Sequence, residues 1–359
     1  MMQDSIGTRL ESGVSGNFGI VRAIACYTVV IVHAYGVVLA EVGRDQYVHL
    51  FGFTPDWLAV NVFFLLSGML LSYSLDFKPA FLPFVAGRLI RWMPAVFIAV
   101  LLAVLVVGPL MTRLPLEVYA NPAALGEFIV NIISFQNVDT PLPGVFADNA
   151  TGPSLFVPLW TMKYEILFSI LLAASVATPV WRMKWVIYTG IAVTLVAWAI
   201  VFHDAGPLRA NRPFEHMLRF AGAFALGIAI YRLRFRLPHS LPILAGLFAV
   251  ALAANNTPAG PILGLLALGY GVAFVGTMKL KVPAVLLLIG SASYGIYIYA
   301  FPIQQILYAI SPEASPIANG LWTIAFTTPF AVISWLAVEK PLNEWRRSHL
   351  HMKKAAVAA

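Results

Sequence analysis

Long apolar runs separated by short polar segments set the pattern of this chain. Ten stretches read as membrane-spanning helices by length and apolar character: 19–40, 57–75, 92–112, 157–177, 185–202, 214–231, 241–254, 260–277, 285–309 and 318–338. The seventh is short. Several contain Gly or Pro, which membrane helices tolerate because neighbouring groups re-satisfy the backbone. The pattern predicts an all-α fold, a polytopic membrane helical bundle of about ten transmembrane helices. It divides the chain into a short polar segment at 1–18, a transmembrane domain at 19–338 and a basic tail at 339–359. No small-residue cleavage site closes the first apolar stretch, so that stretch reads as a span and not as a signal peptide.

Composition agrees. Of 359 residues, 60% are hydrophobic and 11% charged. That is roughly 215 apolar residues, enough for about ten spans of about 20 residues. A soluble globular enzyme, a disordered chain and a coiled coil are excluded. The single cysteine, Cys26, excludes a disulfide framework and any multi-cysteine metal site.

The formal charge of +7 belongs to the loops. With the N-terminus cytoplasmic, 17 of the 23 Lys and Arg fall on the inner side: Arg9, Arg22, Lys78, Arg88, Arg91, Arg182, Lys184, Arg232, Arg234, Arg236, Lys279, Lys281, Lys340, Arg346, Arg347, Lys353 and Lys354. Arg44, Arg113, Arg209 and Arg212 fall outside; Lys163 and Arg219 lie within spans. This alternation obeys the positive-inside bias and expects both termini to be cytoplasmic. It also accounts for the basic charge without a nucleic-acid partner. The tail suits contact with membrane lipids through their anionic head groups. The longest loop, 113–156, is rich in Pro, Gly and Asn and is expected outside, where loops of that length often bind. No internal repeat is visible, which disfavours a carrier.

Ionisable side chains within spans are costly and point to function. Arg22 and His33 are eleven residues apart, nearly on one helical face and about 16–17 Å apart along the axis. Taken alone, Arg22 reads equally as a snorkelling anchor, and His33 as a core histidine bonded to a neighbouring helix. The second span carries Asn61, Ser67 and Gly68; the last two suit close helix packing, whereas Asn61 is dearer to bury. Arg88 and Arg91 share a helical face just before the third span. A helix N-terminus there would favour anions, and two guanidinium forks can grip a phosphate. The plain alternative is an anchor on lipid phosphate. Trp160 fits an outer aromatic belt, and Glu165 is the acid placed within a span interior. Glu215 and Arg219 sit four apart, as a local ion pair would. There is no P-loop, no GxGxxG and no His followed five positions later by Asp. His349 and His351 lack partners that would suggest a metal, and none is expected.

At these residues the sequence resembles the acyltransferase-3 family of integral membrane acyltransferases. The matching marks are Arg22 to His33 (RAIACYTVVIVH), FFLLSG at 63–68, Arg88-Leu-Ile-Arg91, and Pro158-Leu-Trp through Glu165. Ser293 to Gln305 (SYGIYIYAFPIQQ) and Val338 to Leu342 (VEKPL) follow in order. GPLMTRLPLEVY and LPGVF resemble the branch of bacterial polysaccharide O-acyltransferases. One departure stands out: many relatives carry a His directly before the Phe-Pro of the penultimate span, where this chain has Ala300.

The resemblance implies acyl-coenzyme A as donor, most often acetyl-coenzyme A. It implies a hydroxyl of an extracytoplasmic glycan or lipid-linked saccharide as acceptor, in the cell's inner membrane. On that reading Arg22, Arg88 and Arg91 hold the donor's phosphates at the inner face. The pantetheine arm then runs up the helix toward His33, the general base. An acyl-His relay is the variant. Glu165 orients an imidazole or binds the acceptor hydroxyl. Asn61, Ser67 or Tyr294 donates to the developing oxyanion. Trp160 and Arg219 line the acceptor's path. The rival is a proton-coupled transporter or flippase for a lipid-linked sugar, with His33 and Glu165 as relay.

Overall fold

The computed structural model describes residues 4–12, 17–40, 49–77, 80–203, 212–346 and 348. The loop cations Arg44, Lys78, Arg209, Arg347, Lys353 and Lys354, and His349 and His351, lie outside the described residues.

The described chain is helical, with isolated bridges and no strands. Its elements are α1 (Ile6–Glu11), α2 (Asn17–Leu39), α3 (Pro55–Phe77), α4 (Phe81–Leu102), α5 (Gly108–Met111), α6 (Leu116–Tyr119), α7 (Pro122–Ser134), α8 (Met162–Ala177), α9 (Lys184–His203), α10 (Arg212–Leu233), α11 (Leu241–Ala253), α12 (Gly260–Gly276), α13 (Ala284–Ile310) and α14 (Pro316–Ser334). Each of the ten apolar stretches coincides with a helix. Among the described residues, six stretches are long and apolar enough to cross a membrane: 17–39, 55–77, 81–111, 157–177, 284–310 and 316–346. Shorter apolar helices cover 122–134, 187–199, 241–253 and 260–276. This is a multi-pass membrane protein.

Two span ends and one loop differ most from the expectation. The third span begins at Phe81, and its helical path reaches Met111 through a π-turn at Ala103–Val107. Arg88 and Arg91 therefore lie well inside α4, where its amides are already bonded, and no helix N-terminus assists them. The last span likewise runs on through a π-turn at Trp335–Glu339 to Arg346. Within the expected outer loop, α7 forms because Asn121 caps it, accepting from the amides of Ala123 and Ala124 at 3.0 and 3.3 Å, while Pro122 presets the first turn. Phe128 and Ile132, one turn apart, are its buried residues.

The chain divides into two compact units. The first comprises residues 1–25, 44–81 and 164–290. Its centre is the crossing of α3 and α10. A Cβ on Gly68 would strike the Phe224 carbonyl, and one on Gly227 the Leu65 carbonyl, so the two backbones touch, as small residues allow between membrane helices. Phe64 stacks on Phe220 at 4.3 Å, and Phe168 of α8 closes the cluster. At one end of α3, the Asp76 carboxylate accepts from Trp181 Nε1 at 2.6 Å and Tyr231 OH at 2.5 Å. Helix α1 starts with a Ser5–Thr8 capping box and buries Ile6. Its amides at Ile6 and Gly7 bond the carbonyls of Leu237 and Arg234 at 2.9 and 2.8 Å.

The second unit comprises residues 26–43, 82–163 and 291–359. Here α14 buries Asn319, Thr323, Thr327 and Ala331 at four-residue spacing, one helical stripe. The end of α6 returns to the first π-turn, where Tyr119 OH donates to the Val104 carbonyl at 2.7 Å. That bond answers a carbonyl in a stretch whose backbone pattern is irregular.

Candidate active site

Five of the ten sequence-selected residues stand in each unit. Arg22, Asn61, Ser67, Glu165 and Arg219 belong to the first; His33, Arg88, Arg91, Trp160 and Tyr294 belong to the second.

In the first unit, Ser67 of α3 donates its hydroxyl hydrogen to Glu165 Oε1 at 3.0 Å. Glu165 lies in the first turn of α8, preceded by a 3-10 turn at Val157–Thr161, so its charge meets the favourable end of the helix dipole. Asn61 is 1% exposed, and neither its Nδ2 nor its Oδ1 has a hydrogen-bond partner among the described residues. One turn earlier on the same face, Trp57 receives Arg219: the guanidinium carbon lies 3.7 Å from the ring centroid. Arg219 also lies 4.6 Å from the centroid of Phe220, and its residue is 1% exposed. This is cation–π burial of a charge within the helical core. His216 meets Trp57 edge-on at 6.1 Å. Tyr164, beside Glu165, donates to the Pro213 carbonyl at 3.2 Å. Glu165, Ser67, Asn61, Trp57 and Arg219 are thus gathered on three packed helices. Arg22 is half-buried on α2, the continuous helix that also bears His33.

In the second unit, His33 is half-buried and meets Phe301 of α13 edge-to-face, centroids 5.9 Å apart at 89°. Ala300, where relatives carry a His, is 4% exposed in the adjoining packing. Arg88 lies 4.1 Å over the Trp92 ring. Trp160 is half-buried in the 3-10 turn, which Tyr297 of α13 holds by donating to the Pro158 carbonyl and pairing with the Thr161 hydroxyl at 3.1 Å. Tyr294 is half-buried on α13.

One residue escaped the sequence reading. Glu339, placed there in the tail, is 1% exposed and accepts from Ser334 Oγ at 3.2 Å. Ser334 in turn pairs with Tyr299 OH at 2.8 Å. Arg91 lies near enough to act on the Glu339 carboxylate electrostatically. The pairing links residues five apart, a spacing that the π-turn brings into register and a plain α-helix does not. The VEKPL match was the available signal.

The acyltransferase-domain family matches residues 16–339. The chain belongs to the acyltransferase-3 family. This acyltransferase is 24% identical over 341 residues to an "O-acetyl transferase" of Shigella phage Sf6, covering 91% of the chain and 95% of that relative. No solved structure matches it. The family assigns acyl transfer to the protein, and the two clusters are where this acyltransferase offers polar side chains within an apolar helical body.

Proposed function

We propose that this enzyme is an O-acetyltransferase. It takes acetyl from cytoplasmic acetyl-coenzyme A and places it on a hydroxyl of an extracytoplasmic glycan or lipid-linked saccharide. The match of the acyltransferase family across residues 16–339, a range that includes His33 on the apolar helix α2, carries this reading. The phage O-acetyl transferase, aligned nearly end to end, supports acetyl as the group transferred. The protein sits in the inner membrane with about ten spans and both termini cytoplasmic, as the Lys and Arg distribution supports.

Arg22, Arg88 and Arg91 bind the donor's phosphates. Neutral His33 takes the proton of the acceptor hydroxyl as its oxygen attacks the thioester carbonyl. The tetrahedral intermediate expels coenzyme A thiolate, which recovers the proton from the imidazolium. The products are an acetyl ester and free coenzyme A. Glu165, held by Ser67, orients the acceptor hydroxyl, with Asn61, Arg219 and Trp160 along the acceptor's path. Tyr294 serves the oxyanion.

The test is reconstitution of the purified protein in liposomes with acetyl-labelled acetyl-coenzyme A outside and a saccharide lipid in the bilayer. Release of free thiol with label in the saccharide supports the proposal. Translocation of the saccharide lipid with no thiol release overturns it in favour of a carrier or flippase.

A further inference from the structure

Gln304 and Gln305 are consecutive on α13, and both are 0% exposed. Neighbours on a helix point about 100° apart, so the two amides serve different elements. Gln304 Nε2 donates to the Val30 carbonyl of α2 at 2.7 Å, three residues before His33. Phe301, one turn earlier, faces the His33 ring, and Cys26 Sγ contacts the Ser293 carbonyl at 3.0 Å. One side of α13 therefore holds the stretch of α2 that carries His33.

Gln305 works on the connection between α7 and α8. Its Nε2 donates to the carbonyls of Gly152 and Ser154, both at 2.9 Å. Its Oε1 accepts from Asn149 Nδ2 at 2.9 Å and Thr151 Oγ1 at 3.4 Å. Asn149 Nδ2 also donates to the Gln305 carbonyl at 2.9 Å. A glutamine amide has two donor hydrogens and one two-lone-pair oxygen, and all are spent here. The segment so clamped leads directly into Pro158 and Trp160, which Tyr297 grips from the same helix.

We propose that Gln304 and Gln305 are positioning residues of the transfer reaction. Gln304 sets the His33 segment and Gln305, with Tyr297, sets the loop that admits the acceptor, so one dipeptide registers base and entrance on a single helix. The proposal rests on the acyl-transfer reading above for the roles of His33 and of the loop. A helix-packing role alone would loosen both segments together. A positioning role separates them.

The experiment compares wild type with Gln304→Met, Gln305→Met and the milder loop-side variants Asn149→Ala and Thr151→Val, all in detergent micelles. Acetyl-coenzyme A is the donor and octyl β-glucoside the acceptor probe; amide hydrogen exchange is followed in parallel. Gln305→Met is expected to speed exchange across 149–161 and raise the octyl glucoside KM about tenfold, with kcat and donor KM nearly unchanged. The loop-side variants do the same more weakly. Gln304→Met is expected to speed exchange in 26–39 and lower kcat about tenfold with the acceptor KM unchanged. Equal effects of both variants on both constants overturn the proposal, as does unaltered loop exchange in Gln305→Met. If Gln305→Met does not fold, Asn149→Ala and Thr151→Val decide. A wild-type protein that releases no thiol refutes the donor reading, whereas loop exchange still decides whether Gln305 holds the entrance.

Discussion

Ser67 gives its hydroxyl hydrogen to Glu165 at 3.0 Å, joining the middle of α3 to the first turn of α8. The pair lies in an apolar helical setting, where a fixed donor gives a carboxylate a defined direction. Ser67→Ala removes that donor and leaves the charge. It is expected to lower kcat/KM about tenfold, in line with about 1–1.5 kcal/mol for one such bond. Glu165→Gln keeps a bond to Ser67 and removes the charge. It is expected to cost more, about a hundredfold. Initial rates of thiol release from acetyl-coenzyme A check both, and a Gln variant milder than the Ala variant would reject Glu165 as a reacting-centre group.

His33→Ala is expected to abolish transfer while the protein still binds acetyl-coenzyme A, as read by isothermal titration. Arg88→Ala with Arg91→Ala is expected to raise the donor KM about tenfold or more, since charge-assisted contacts to phosphate are worth about 1.5–3 kcal/mol each. Unchanged turnover in the first, or an unchanged donor KM in the second, removes the role assigned.

The contact of α3 with α10 leaves no room for a methyl group. Gly68→Ala would press a Cβ into the Phe224 carbonyl, a backbone atom that no side-chain rotation can move aside. A cost of about 1–3 kcal/mol is expected, seen as a lower Tm. Gly126 of α7 has nothing within 4 Å of such a Cβ, so Gly126→Ala is expected to leave Tm unchanged or raise it.

Acid is expected to loosen the N-terminal segment. His239 stacks on Phe274 at 4.0 Å and donates from Nε2 to the Phe274 carbonyl at 3.0 Å; Arg9 Nη1 stands 3.4 Å from the same Nε2, with Asp4 bonded to Arg9 beyond. Burial first, and then the charge of Arg9, holds the imidazole below its ordinary value of 6.5, against the opposing pull of the Phe274 carbonyl and Asp4. A lowered value means that the folded state binds the proton less well than the unfolded chain. The stabilisation is full above pH 6.5 and declines as pH falls through and below that value. Asp4, held low mainly by its hydrogen bond to Arg9, keeps its charge until stronger acid. Protection from hydrogen exchange over residues 4–12, corrected for the pH dependence of intrinsic amide exchange, is expected to be lower at about pH 5.5 than at pH 7.5. His239→Gln is expected to flatten that pH dependence.

The helices were legible because burial in lipid leaves a strong local record: an apolar run of span length. Their ends were less so. The start of α4 at Phe81 lies in a segment where Lys78 and Arg88 interrupt the apolar run, and α7 hides in a loop whose Asn121–Pro122 start resembles a turn. His33, Arg88, Arg91 and Glu165 were selected as charges in apolar surroundings. Ser67 was selected too, but the pairings were not, because Ser67 with Glu165, or Gln305 with Asn149, are 98 and 156 residues apart and leave no local periodicity. Glu339 was missed for a different reason: the periodicity of 3.6 places it off the Ser334 face, and only a widened turn restores it.

The π-turn at Trp335–Glu339 takes up one more residue than an α-turn over the same rise. A homologue one residue shorter there would wind as ordinary α-helix and still present its acid beneath the serine. Evolution can thus gain or lose a residue inside this last helix without rotating its final stretch, Pro341 to Arg346. Alignments carried across the segment should open a one-position gap there instead of shifting the VEKPL glutamate out of register.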